Sequence, residues 1–295
     1  MSSDFFIHFF SFWGHLGVPI FVFLSAYGLS LKYGNKEAIN WKVFLFSHYK
    51  KLFIPLLLGT TAYMIIIYFE TGGNPFSLAR FVTQCTMILN LLYPHELNMS
   101  PGPYWYFGMT MQLYVLYIFL VYKKDVKWLL GLMLLSIVFL ACLYHDYQLL
   151  VWSKCNFIGW LIPFTAGIWS LKYNYFNKLF SNNNKIATLI VSALFLCIFG
   201  NNYFLWIFIP AVVICLGISF IKTTPISIWK RINIIGANSM YIFVIHPIIR
   251  DIMHPMIPIL GKYGAMALYV VLTLTIAGFV SQFVKKSNIT NYENK

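Results

Sequence analysis

Tyr263-Gly-Ala-Met-Ala-Leu-Tyr-Val-Val-Leu-Thr-Leu-Thr-Ile-Ala-Gly-Phe-Val-Ser-Gln-Phe-Val284 runs for 22 residues without a charge, between Lys262 and Lys285-Lys286. A helix rises about 1.5 Å per residue, so this run covers the roughly 30 Å hydrocarbon core of a bilayer. Uncharged runs also span Phe5 to Leu31, Leu52 to Phe69, Pro101 to Tyr122, Trp128 to Tyr144, Cys155 to Leu171 and Ile232 to Ile249. Ile186 to Ile221 is too long for one crossing, and the turn-forming Gly200-Asn-Asn202 predicts a helical hairpin there. Membrane β-barrel strands alternate apolar and polar residues over about ten positions, and these runs do not alternate. Hydrophobic residues make up 60% of the chain and charged residues 10%, against about 45–50% and 25% in a soluble domain. Composition therefore excludes a soluble, disordered or disulfide-scaffold protein. The reading is all-α: a polytopic transmembrane bundle of about nine spans, forming a single membrane-embedded domain over residues 1–295.

The net charge of +13 raises the question of an anionic partner. Its distribution answers it. If the first span runs from outside to inside, 17 of the 21 basic residues fall on the cytoplasmic side. Only Arg80, Lys154, Arg250 and Lys262 fall on the other. Cytoplasmic loops carry such an excess of Lys and Arg, so the basicity is a topology signal and nucleic acid is not an expected partner. The expected location is an integral, multi-pass protein of the plasma (inner) membrane, N-terminus outside and C-terminus cytoplasmic. Phe81 to Tyr93 is apolar but too short to cross, and reads as an interfacial or re-entrant helix. The five cysteines have no C-x-x-C spacing, so they read as small core residues rather than metal ligands. Oligomeric state leaves no mark on the sequence.

Four segments can carry chemistry. In Gly17-Val-Pro-Ile-Phe-Val-Phe-Leu-Ser-Ala-Tyr-Gly-Leu29, the small residues Gly17, Ala26 and Gly28 allow close helix approach, and Ser25 can bond back to the backbone. In Ser47-His-Tyr-Lys-Lys-Leu-Phe-Ile-Pro55, His48, Lys50 and Lys51 form a cationic group. It is either a phosphate site or a set of anchors at lipid headgroups. In Gly102-Pro-Tyr-Trp-Tyr-Phe-Gly-Met-Thr-Met-Gln-Leu-Tyr114, Trp105 and Tyr106 sit at an interface where aromatic belts are usual. Gln112 lies about two turns deeper, where it either lines a cavity or bonds another helix. In Ile235-Gly-Ala-Asn-Ser-Met-Tyr-Ile-Phe-Val-Ile-His246, Asn238, Ser239 and His246 recur at about two-turn spacing. An ionisable group at membrane depth is a site candidate.

In this order the four segments resemble acyltransferase family 3, integral membrane proteins that include bacterial sugar O-acetyltransferases. The family's patterns are G-V-x-x-F-F-x-x-S-G-Y-x-L, a basic stretch before a proline, a tryptophan-aromatic motif and a late G-x-x-S-x-x-I-Y-x-x-H. The resemblance extends from about Phe5 to Val284. It implies transfer of an acyl group, acetyl by expectation, from acyl-CoA to a sugar hydroxyl of a surface or lipid-linked glycan. Acyl-CoA would be a co-substrate, with no tightly bound cofactor and no metal. By the same resemblance His246 is a catalytic residue with Gln112, while Trp105, Tyr106, Asn238 and Ser239 meet the acceptor. His48, Lys50 and Lys51 would hold the donor's phosphates. Family members have ten spans and a histidine on the first. This chain is expected to lack that helix, which makes His8 and His15 substitute candidates for the base. A glycan transporter or flippase, or a non-catalytic truncated member, is the alternative.

Overall fold

The structure is a computed structural model in which residues 4–72, 77–92, 104–143, 146–172 and 226–286 are described. Among them every regular element is helical and there is no strand. The first half carries α1 (Asp4–Tyr33), α2 (Trp41–Thr71), α3 (Leu78–Cys85), α4 (Leu89–Leu92) and α5 (Trp105–Leu116), which tightens into a π-turn at Tyr117–Val121. Then come α6 (Val126–Leu143), α7 (Tyr147–Lys154), a 3₁₀ turn at Phe157–Trp160 and α8 (Leu161–Lys172). Last are α9 (Ile226–Met253), a 3₁₀ turn at His254–Met256 and α10 (Ile257–Lys286). The described runs lie on these helices, except that Cys155 to Leu171 starts at the end of α7, passes through the 3₁₀ turn and continues along α8. The expected hairpin over 186–221 lies outside the described residues.

Trp41–Phe69, Val126–Leu143 and Asn238–Lys286 are long and apolar enough to cross a membrane. A pair bent by 66°, Gln148–Lys154 with Phe157–Lys172, would be a fourth such span. Their apolar faces point outward: Phe69, Phe279 and Phe283 are 80%, 76% and 69% exposed. A helix in water hides its apolar stripe, whereas these helices display theirs, as a lipid-facing surface requires. The protein is a helical membrane protein.

Helix ends follow local chemistry. Asn40 Oδ1 accepts from the backbone N–H of Lys42 and Val43 at 3.1 and 3.3 Å, capping α2, which ends at Gly72 with φ 67°. That start lies well ahead of Leu52, so the basic segment and Pro55 are inside the helix rather than before it. Pro19 likewise lies inside α1. Asp146 caps α7 through Gln148 and Leu149. The segment read as one short helix over Phe81 to Tyr93 is two, α3 and α4, broken where Met87 takes a left-handed φ of 62°.

Contacts group the chain into two units, Met1–Ile39 with Gln112–Thr224 and Asn40–Met111 with Pro225–Lys295. In the first, α8 packs on α1 and α6. Gly167 makes the α1 approach possible, because a Cβ there would collide with Phe23 O and lie 3.0 Å from the Ala26 Cβ. Ala26 is fully buried at that crossing. Among the described residues nothing lies within 4 Å of a Cβ placed at Gly17 or Gly28, so there Ala26 is the small residue of this motif that serves a close approach. Ser25 Oγ meets Tyr114 Oη at 3.1 Å rather than returning to its own backbone. In the second unit α9 packs on α10 and α2. Ile245 and Ile249 of α9 enclose Ala277 of α10. Of the three described cysteines Cys155 alone is buried; Cys85 is half-buried and Cys142 is exposed, so the core assignment holds for one of them.

Candidate functional site

His246 sits on α9, half-buried, just ahead of the buried Pro247. Its imidazole bonds to the backbone of Phe243 and Ile242 one turn earlier. Carbonyls are the acceptors a helix offers at those positions, and a ring N–H is the group that donates to them. The Phe243 ring lies 5.7 Å from the imidazole and 5.0 Å from the Tyr106 ring. Phe107 stands edge-on to Phe243 at 5.9 Å. The start of α5 is thus an aromatic wall beside the histidine. Tyr104 donates its hydroxyl to Val244 O. This bond passes over Gly59 of α2, where any Cβ would strike both Tyr104 and Val244.

α9 is continuous from Ile226 to Met253, so the spacing read from sequence holds in space. At about 100° per residue, Ser239 comes within about 20° of His246 around the axis, and Asn238 flanks that face. Both are half-buried.

Sequence reasoning missed a polar corner beside Trp105. Gln84, Asn90, Tyr104, Trp105 and Gly108 line a space of about 10 Å³, the room one water occupies. Gln84 is 3% exposed and its Oε1 has no hydrogen-bond partner among the described residues. The signal was available: Gln84 and Asn90 are amide side chains in an otherwise apolar segment, where polar groups need a reason. A Cβ at Gly108 would collide with Asn90 Oδ1, so glycine there lets α5 meet α4.

The cationic group lies about the third turn of α2. His48 Nδ1 is 2.7 Å from Phe44 O, so that nitrogen carries its proton and donates. Helical geometry divides the group: Lys51 is within about 60° of His48, while Lys50 points about 160° away from His48. Between them Tyr49 donates to Cys85 O at 2.9 Å, tying the basic turn to the end of α3. Burial pushes the Cys85 thiol up from its ordinary value, which makes it a poor nucleophile.

In the first unit, Gln112 Oε1 accepts from Phe157 N–H at 3.1 Å, the interhelical bond that was one of its two readings. His8 and His15 fall in the first half of α1. The structure brings Tyr106 and His246 together through Phe243.

No curated protein and no solved structure matches the chain. A family model described as an acyltransferase domain matches residues 2–282, nearly the whole length and including all four segments quoted above. This chain belongs to acyltransferase family 3.

Proposed function

We propose that this membrane acyltransferase is an O-acetyltransferase, moving acetyl from acetyl-CoA to a sugar hydroxyl of a surface or lipid-linked glycan. In that step the hydroxyl oxygen bonds the thioester carbon and the carbon–sulfur bond breaks. The hydroxyl proton passes to a base and then to the departing thiolate, giving ester and free coenzyme A. A sugar hydroxyl ionises far above neutrality, so the base must act during attack. The observation carrying this reading is His246, half-buried with one ring nitrogen engaged by its own helix and an aromatic wall beside it. Tyr106 and Trp105 suit the apolar face of a sugar ring, while Ser239 and Asn238 can supply hydrogen bonds to acceptor or oxyanion. His48, Lys50 and Lys51 suit coenzyme A phosphates. The basic distribution supports a plasma membrane location with the N-terminus outside and the C-terminus cytoplasmic.

Membranes containing the full chain, supplied with labelled acetyl-CoA and endogenous glycan, are the test. The expected result is base-labile label on glycan with matching release of free thiol. Glycan crossing the membrane unmodified, with no thiol released, overturns the proposal in favour of transport.

A further inference from the structure

In the first unit the end of α1, the turn following the π-turn and the end of α8 enclose a cleft of about 430 Å³. Lys123, Lys124 and Lys172 form its rim, and among the described residues no Asp or Glu lines it. Leu31, Val121, Ile168 and Leu171 supply its apolar lining, and Ser30 and Asn35 add polar groups. Three cations around one space repel each other unless an anion joins them.

The rim is held in place. Lys123 takes a left-handed φ of 57°, rare for a residue with a Cβ. Its Nζ donates to Glu37 O at 2.6 Å, and the neighbouring Tyr122 hydroxyl donates to Lys36 O at 2.5 Å. Lys172 Nζ donates to Lys124 O at 3.1 Å. An ammonium has three N–H groups, and each of these two bonds uses one. Lys124 extends along the Trp128 ring, 5.6 Å from its centre.

We propose that this cleft binds the phosphate headgroup of an anionic phospholipid, with the first methylenes of its chains leaving over Leu31. The three lysines match the phosphate. The apolar part of the lining matches the lipid, because Val121, Ile168 and Leu171 share the cleft with Leu31, which is 64% exposed at the end of α1. A soluble phosphate would meet the rim and leave that aliphatic surface uncovered. Basic pockets at the cytoplasmic ends of membrane helices recognise anionic headgroups through the same combination. This site is separate from acyl transfer and stands whether or not the chain acetylates a glycan.

The test is lipid retention by the full chain, delipidated in neutral detergent and titrated with phosphatidylglycerol or phosphatidylcholine, read by native mass spectrometry. Phosphatidylglycerol is expected to bind at least tenfold more tightly, with an affinity that falls as salt rises. Lys124→Gln/Lys172→Gln is expected to lower that affinity roughly tenfold or more, whereas Lys124→Arg/Lys172→Arg retains it. Lys285→Gln/Lys286→Gln removes the same charge from the end of α10 and is expected to change nothing. Leu31→Glu keeps every lysine and is expected to abolish retention, which decides the matter if the double glutamine variant does not fold. Equal binding of the two lipids, or equal loss in the α10 variant, overturns the proposal. Displacement of phosphatidylglycerol by inorganic phosphate or coenzyme A also overturns it, assigning the rim to a soluble ligand.

Discussion

At the scale of single residues, the site rests on what each side chain has left to offer after its structural bonds are made. His246 is held against the backbone of α9, and a neutral imidazole that donates one N–H keeps a second nitrogen of acceptor type. A general base contributes typically 10²–10⁴-fold to rate. His246→Ala is therefore expected to lower acetyl transfer by about that factor at matched protein levels, while His254→Ala, exposed at the end of α9, leaves it near wild type. Comparable rates in the two variants would remove His246 from the chemistry. In α2 the turn of the helix separates the lysines. Lys51 shares a face with His48, so Lys51→Gln is expected to raise the donor KM by about tenfold or more, and Lys50→Gln by less. A charge-assisted contact worth roughly 1.5–3 kcal/mol sets that scale. If KM holds in both variants and only membrane yield falls, the lysines are anchors at the interface.

Between elements the governing fact is that lipid tails are as apolar as the helices themselves. Helix pairs then hold by van der Waals fit and interhelical hydrogen bonds rather than by hiding apolar surface. The α1–α8 crossing shows both, through Gly167 against Ala26 and through the neighbouring Ser25–Tyr114 bond within the same unit. The two are expected to differ in size. An interhelical hydrogen bond in a membrane is worth about 0.6 kcal/mol on average, whereas overpacking costs about 1–3 kcal/mol. Gly167→Val should thus lower the unfolding midpoint in detergent clearly more than Ser25→Ala. The reverse order would mean that fit at this crossing is loose. On α10, Thr273, Ala277 and Ser281 are buried at four-residue intervals, and Ala277 meets Ile245 and Ile249. One face of this helix packs while Phe279 and Phe283 turn to lipid.

For the molecule as a whole the open quantity is its direction in the bilayer. The 17-to-4 division of basic residues predicts that the turn after α1 lies inside and the end of α9 outside. In a background without native cysteines, Ala38→Cys is expected to escape an impermeant thiol reagent in intact cells, and His254→Cys to react with it. Both positions are exposed, so access is decided by sidedness rather than burial. Equal labelling of the two would reject the orientation. The cysteine-free background matters because Cys142 is itself exposed.

The sequence alone determined that this chain is a bundle of membrane helices, and it located the helices. Both follow from local energetics: an uncharged run of about 20 residues can satisfy its backbone in lipid only as a helix. It also determined the family, because the four quoted segments carry their residues in order whatever their packing. Only the tertiary structure decided which residues meet. It selected Ala26 over Gly17 and Gly28 as the close-approach residue, and gave Ser25 a partner 89 residues away. It joined Tyr104 to Val244 across 140 residues, exposed a polar corner at Gln84 and Asn90, and gathered Lys123 and Lys124 with the distant Lys172 around one cleft. The reason is physical. In water the period of apolar residues marks the buried face of a helix, but in lipid the outer face is apolar as well, so periodicity no longer says which side packs or against what.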